Sequence, residues 1–179
     1  FMKIIKTKFS GLQIVKFKKN SDSRGYLVET YRKKLLKGKD LIFDYKVFSK
    51  KNVFRGFHFQ YNYPQIKFIS VLKGKILDCV IDLRKNSKTF GKSFKIVLSE
   101  KNDLSLYVPV GFAHSYLTLD KENIVYYKLS NYYHPKYESG IVWNDKDLKI
   151  KLPVKKPKLS KKDKNLPTYK NFLKEFKYL

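Results

Sequence analysis

The sequence predicts an all-β domain, a sandwich or barrel of short strands, closed by a short C-terminal helical tail. Short apolar runs are punctuated by turn-forming Gly, Pro, Asn and Asp at strand-like intervals, with no solenoid-type repeat. The aromatic fraction is 16%, divided between 14 Tyr and 14 Phe, residue types that suit pleated, half-buried surfaces. At 179 residues the chain has the length of one domain whose single core can stabilise it alone.

In chain order, IKFISVL (66–72) and KILDCVIDL (75–83) flank Lys73-Gly74 and read as a tight hairpin. FKIVLS (94–99), LSLYVPV (104–110), HSYLTL (114–119) and NIVYYKL (123–129) complete six strands between residues 66 and 129. From Lys151 the chain turns Pro-rich and charged, with Pro153, Pro157 and Pro167, which predicts an irregular arm ending in a helix near 168–178. The expected division is one domain over 1–179, with a barrel core at about 40–150 and an arm at about 151–179. Phe1, ahead of Met2, reads as an expression remnant.

Composition narrows the function. No apolar run approaches the ~20 residues of a membrane span and no secretory leader is evident, so a soluble, cytoplasmic protein without membrane partners is expected. The lone Cys79, inside an apolar run, reads as a core residue. A net charge of +25 raises the question of nucleic acid, but only four of 40 basic residues are Arg, the type favoured for bidentate recognition. The lysines are dispersed and no nucleic-acid-binding motif is present, so no nucleic acid partner is expected. They read as a solvated surface that attracts anionic substrates.

Only His58, His114 and His134 can supply imidazole chemistry. In VFRGFHFQ, alternation places Gly56, His58 and Gln60 on one strand face and Arg55, Phe57 and Phe59 on the other, unless a bulge intervenes. A lone strand histidine is more often structural; Arg55 and Gln60 nearby favour a cavity. PVGFAHS carries the Pro-x-Gly-x-x-His arrangement of a cupin motif, but His58-Phe59-Gln60 stands where a His-x-His companion belongs. With two candidate ligands and no carboxylate at cupin spacing, a metal site is short of donors, so neither metal nor coenzyme is expected.

Together, DSRGYLVETYR (22–32), FRGFHFQ, Lys67, GKILDCVIDLRKNSKTFGK, VPVGFAHS, VYYKLSNYYHPKYESGIVWND and LSKKDKNLP (159–167) resemble the dTDP-4-dehydrorhamnose 3,5-epimerase family along almost the whole chain. The resemblance implies a cupin, or jelly-roll, β-barrel. It also implies an isomerase that converts dTDP-4-dehydro-6-deoxy-D-glucose to dTDP-4-dehydro-L-rhamnose for surface polysaccharides, and a homodimer that exchanges N-terminal strands. The family's base falls on His58, its proton donor on Tyr127 and the aspartate orienting the base on Asp163. Substrate contacts resemble Arg24, Glu29, Arg55, His114, Glu138 and Lys162, with Tyr133 stacking on the nucleotide base. Gln60 joins this set from its strand face, Arg84 reads as structural and His134 as a loop residue. Two departures stand out. FDYKVFS (43–49) keeps only Ser49 of a Gln-x-Asn-x-Ser-x-Ser pattern, and Ser115 replaces a Gly.

These residue types suit inversion beside a ketone. A 4-keto group acidifies the hydrogens at C3 and C5, because the carbanion delocalises onto oxygen as an enolate. Imidazole can accept a proton near neutrality, a carboxylate fixes its tautomer, and a phenol stays protonated to deliver to the opposite face. Lys67, assisted by His114, is the candidate for stabilising the enolate oxygen. The expected partner is therefore a nucleoside-diphosphate 4-keto-6-deoxy sugar. Alternatives are an epimerase of C3 or C5 alone, a ketoisomerase, or a non-catalytic sugar-binding cupin.

Overall fold

Extended segments pair into thirteen strands among the described residues, which are 2–33 and 40–176 of a computed structural model. The strands are β1 (Lys3–Lys6), β2 (Gln13–Lys16), β3 (Lys19–Asp22), β4 (Gly25–Val28), β5 (Phe43–Lys50), β6 (Phe54–Gln60) and β7 (Lys67–Lys73). They continue with β8 (Lys75–Asp82), β9 (Ser93–Ser99), β10 (Leu104–Val108), β11 (Phe112–Thr118), β12 (Glu122–Leu129) and β13 (Glu138–Gly140). All six strands expected between 66 and 129 are present.

The strands form a six-stranded sheet in the order β1-β2-β10-β7-β12-β5, a five-stranded sheet in the order β13-β6-β11-β8-β9, and a separate ribbon of β3 and β4. Apolar side chains from both large sheets meet in one cluster: Ile69, Val71, Leu106 and Val125 from the larger, Ile76, Val80, Leu98 and Phe112 from the smaller. This is the double-sheet form of the all-β jelly roll that the sequence predicts.

The expected hairpin at Lys73-Gly74 does not form. β7 pairs with β10 and β12, whereas β8 pairs with β9 and β11. Gly74 (φ +80°) instead turns the chain from one sheet into the other, and the backbone oxygen of Glu122 and the side chain of Asn123 fill the space a Cβ would need. Lys75 N–H donates to Asn123 Oδ1 at 3.0 Å, securing the corner. At the other end of the chain, β1 and β2 lie outside the segment 40–150 yet join the larger sheet through β2 and β10.

The alternation expected in β6 is broken. Opposite β11, His58 pairs with His114 but Arg55 pairs with Tyr116, so β6 carries one extra residue. That bulge moves Arg55 to the same side as His58, while Phe57 and Phe59 pack behind the five-stranded sheet.

Behind that sheet lies the C-terminal arm. Cys79, Ile81, Ala113 and Leu117 point outward from β8 and β11 and are covered by Leu159, Tyr169, Phe172 and Phe176. Val53 bridges to Lys158, and two short helices follow, α1 (Lys161–Lys164) capped by Ser160 and α2 (Tyr169–Glu175) capped by Thr168. α1 lies where an irregular arm is expected; Ser160 Oγ accepting Asp163 N–H at 3.0 Å is the local reason for its turn. α2 matches the helix expected near 168–178, of which 177–178 lie outside the described residues.

Phe172 is 1% exposed and meets Phe59 edge-on at 5.5 Å. Phe172→Ala should cost roughly 3–5 kcal/mol of stability, read as a lower midpoint in urea unfolding with an unchanged slope. A cost near zero would mean that the arm is not packed on the sheet.

Candidate active site

The pleat that builds the core also builds the cavity. Every second residue of the inner-facing strands points between the sheets, and toward one end these positions hold polar rather than aliphatic groups. Lys67 precedes Ile69 and Val71 on β7, His114 lies between Phe112 and Tyr116 on β11, Asp78 between Ile76 and Val80 on β8, and Tyr127 between Val125 and Leu129 on β12. Lys67, His114 and Tyr127 border a cavity of about 440 Å³, within the range of small-molecule sites, whose walls also include Tyr45, Arg55 and His58, while Asp78 reaches it through His114. Tyr133, Glu138, Lys162 and Asp163 stand around the same space.

His58 and Tyr127 come from different sheets and so occupy opposing walls. His58 Nε2 lies 2.6 Å from Asp163 Oδ1, a contact spanning 105 residues of sequence. Such a contact places the ring proton on Nε2 and leaves the lone pair on Nδ1, which lies 3.7 Å from Glu138 Oε1. Burial pulls the His58 pKa below 6.5; Asp163 opposes this, and the charges of Lys67 and Lys162 reinforce it. The imidazole is thereby kept neutral near neutral pH. Tyr127 is buried, which drives its phenol pKa well above 10 and keeps it protonated. Its neighbour Tyr126 faces out of the cavity and donates to Asp44.

Lys67 is pulled down to about 8 by burial, against the attraction of Asp78. Its ammonium reaches the His58 backbone oxygen at 3.5 Å. His114 Nε2 is 2.8 Å from Asp78 Oδ2, and burial lowers its pKa despite that carboxyl. Asp78 Oδ1 has no hydrogen-bond partner among the described residues. At the cavity mouth, Glu138 accepts from Lys162 and, at 2.7 Å, from the Tyr133 hydroxyl. Arg55 donates through Nε to Ser49 Oγ at 3.1 Å, so the one residue retained from the altered 43–49 pattern seats the guanidinium. Among the described residues, no three His, Cys, Asp or Glu side chains are grouped so as to hold a metal ion.

Three sequence-predicted residues stand elsewhere. Gln60 is spent on backbone: its amide donates to the Tyr63 and Tyr132 oxygens, and its carbonyl accepts His134 N–H at 2.7 Å. Burial at 6% exposure leaves it a brace for the 132–134 loop. Arg24 pairs with Asp22 and Glu29 with Arg32, both pairs exposed and outside this cavity. Arg84 is structural, clamped to Asp82 and seated 4.5 Å over the Phe112 ring. His134 stacks on Tyr63 at 4.5 Å.

Asp78 and Tyr45 were not singled out from sequence. For Asp78 the signal was a carboxyl on the inward phase of the apolar run ILDCVIDL; for Tyr45, the inward phase of FDYKVFS.

Comparison with known proteins gives a concordant picture. The family model described as dTDP-4-dehydrorhamnose 3,5-epimerase matches residues 6–171. An enzyme of that name from Methanothermobacter thermautotrophicus is 39% identical over 170 residues, covering 91% of this chain and 92% of the relative. The Shigella flexneri enzyme is 38% identical over 92% of this chain and 94% of its own. Among solved structures, the Bacillus anthracis dTDP-4-dehydrorhamnose 3,5-epimerase with TDP and PPi bound superposes with a TM-score of 0.91 at 40% identity, covering 94% of this chain and 99% of its own. A Legionella pneumophila dTDP-6-deoxy-D-glucose-3,5-epimerase in complex with dTDP-4-keto-L-rhamnose gives a TM-score of 0.90 at 34% identity, covering 94% and 93%.

The electrostatics make one prediction independent of any substrate. The His58 ring should titrate below 6.5 by NMR, and Asp163→Asn, which removes the influence holding its pKa up, should lower it further. A rise in that variant would contradict the pairing.

Proposed function

The chain belongs to the dTDP-4-dehydrorhamnose 3,5-epimerase family, and on that premise we propose that it converts dTDP-4-dehydro-6-deoxy-D-glucose to dTDP-4-dehydro-L-rhamnose by acid–base catalysis. The observation carrying this reading is the placement of a neutral imidazole and a protonated phenol on opposing walls of one cavity. His58 removes the proton from the carbon beside the ketone, and the C–H electron pair moves into an enolate. Tyr127 then delivers its proton to the opposite face of that carbon, inverting it. The two side chains return to their starting states by proton exchange with water. Repetition at the second carbon flanking the ketone completes the conversion.

Asp163 holds the His58 tautomer and stabilises the imidazolium formed after proton removal. Lys67, with His114 held by Asp78, supplies positive charge and a donor for the enolate oxygen. Arg55 and Lys162 meet the diphosphate, and Tyr133 stacks on the base. The net charge of +25 speeds encounter with this anion.

Arg24 and Glu29 enter the scheme through a second protomer. Among the described residues the β3–β4 ribbon pairs only with itself, and Tyr26 and Leu27 on it are 65% and 68% exposed. A homodimer in which each ribbon crosses to its partner covers those side chains and carries Arg24 and Glu29 to the other cavity. Mixing His58→Ala with Arg24→Ala protein should then restore activity, to about a quarter of wild type, because half the dimers are mixed and hold one intact site each. No recovery on mixing would place Arg24 in its own protomer's chemistry, and an Arg24→Ala protein that is fully active by itself would give Arg24 no part in it.

Incubated in D₂O with the nucleotide sugar, the enzyme should wash deuterium into C3 and C5, read by NMR; His58→Ala should lower the rate by roughly 10²-fold or more. Full exchange in that variant would remove His58 as the base. The kcat/KM profile should fall on the acid side below 6.5, where His58 takes up a proton, and on the alkaline side near 8, where Lys67 loses its charge.

A further inference from the structure

We infer that Tyr45 is a positioning residue for Tyr127, clamping the phenol ring so that its hydroxyl addresses the reacting carbons. The inference rests on the acid role proposed above for Tyr127. Tyr45 lies on β5 directly opposite Tyr127 on β12, in the register that pairs the two strands. Their rings stack at 5.0 Å between centroids with an interplanar angle of 29°. On another side, the His114 ring meets Tyr127 edge-on at 5.8 Å and 80°. Phe43 supports Tyr45 in turn at 5.6 Å, and Tyr132 supports Phe43 at 5.7 Å, so a row of aromatic rings runs along the wall from the acid toward the cavity mouth.

Among the described residues no hydrogen bond tethers the Tyr127 hydroxyl. Ring packing therefore decides where that hydroxyl points, and Tyr45 supplies the flat face. A misplacement of an ångström in a proton-transfer geometry can cost about 10²-fold in rate, and a stacked aromatic pair shifts an orientational equilibrium by roughly 2- to 10-fold. Tyr45 lines the cavity with 39% of its surface exposed, and burial of its hydroxyl pushes its pKa up to about 12, so it stays a neutral phenol. Because one phenol must serve two carbons in succession, its orientation bears on how turnover divides between them.

The test compares Tyr45→Phe, Tyr45→Leu and Tyr45→Ala in the full chain. Ring-labelled tyrosine NMR, without substrate, reads the Tyr127 flip rate; steady-state kinetics and the C3-to-C5 deuterium ratio read the consequence. Tyr45→Phe keeps the flat face and should retain slow flipping and kcat within about twofold. Tyr45→Leu, which fills the volume without a face, and Tyr45→Ala should speed flipping, lower kcat roughly 3- to 10-fold with a smaller change in KM, and shift the ratio. The clamp is overturned if the Leu and Ala variants leave flipping and kcat unchanged, if KM alone rises, or if Phe is as impaired as Ala, since the hydroxyl would then be the acting group. A wild-type enzyme with no wash-in would sink the acid role of Tyr127, while the flip rates would still decide whether Tyr45 holds the ring.

Discussion

The contact between His58 and Asp163 is the interaction on which the rest of the site depends. It joins strand β6 to the helical turn α1 across 105 residues at 2.6 Å, and it sets which ring nitrogen carries the proton. A carboxyl that is 3% exposed reaches that imidazole only because the arm is fastened on both sides of it. Ser160 caps the turn, the Val53–Lys158 bridge ties the approach, and Phe172 anchors the exit under Phe59. The arm is therefore part of the chemistry, and its packing energy is spent partly on holding one side chain in place.

Burial unifies the electrostatics. Removal from water disfavours whichever form is charged, so the pKa values of His58, His114 and Lys67 move down and that of Tyr127 moves up. The base ends unprotonated and the acid protonated, the pairing that proton transfer at neutral pH needs. Lys67 is the exception that keeps its charge below about 8, with the charge of Asp78 supporting it. The surface works differently: dispersed lysines in water stabilise little individually and act as a diffuse attraction for anions.

Much of this was legible beforehand, for local reasons. Strands between 66 and 129 follow from short apolar runs separated by turn residues, and the helix near 168–178 from the change of character that closes the Pro-rich arm. Alternation says only that Tyr126 and Tyr127 face opposite ways; the family resemblance is what singled out Tyr127. What failed was non-local. The Lys73-Gly74 pair looks like a hairpin because a tight turn has the same local chemistry whether the next strand folds back or crosses to a second sheet. Regular alternation puts Arg55 on the face opposite His58, and the bulge that reverses this is defined by the register of β6 against β11, which no single strand reveals. Gln60 shared the expected face with His58, yet nearby backbone groups at 63, 132 and 134 claimed its amide.

Residue identity and spacing thus determined the all-β class and the family resemblance through ordered motifs, and that resemblance pointed to Lys67, His114 and Tyr127. Tertiary structure alone decided which strands became neighbours, that Asp163 returns to His58, that Asp78 holds His114, and that Tyr45 lies against Tyr127. The division has one cause. Alternation and turn propensity act over a few residues and are written in order along the chain, whereas pairing between sheets and the docking of the arm depend on which distant surfaces bury each other, a choice made only when the whole chain folds.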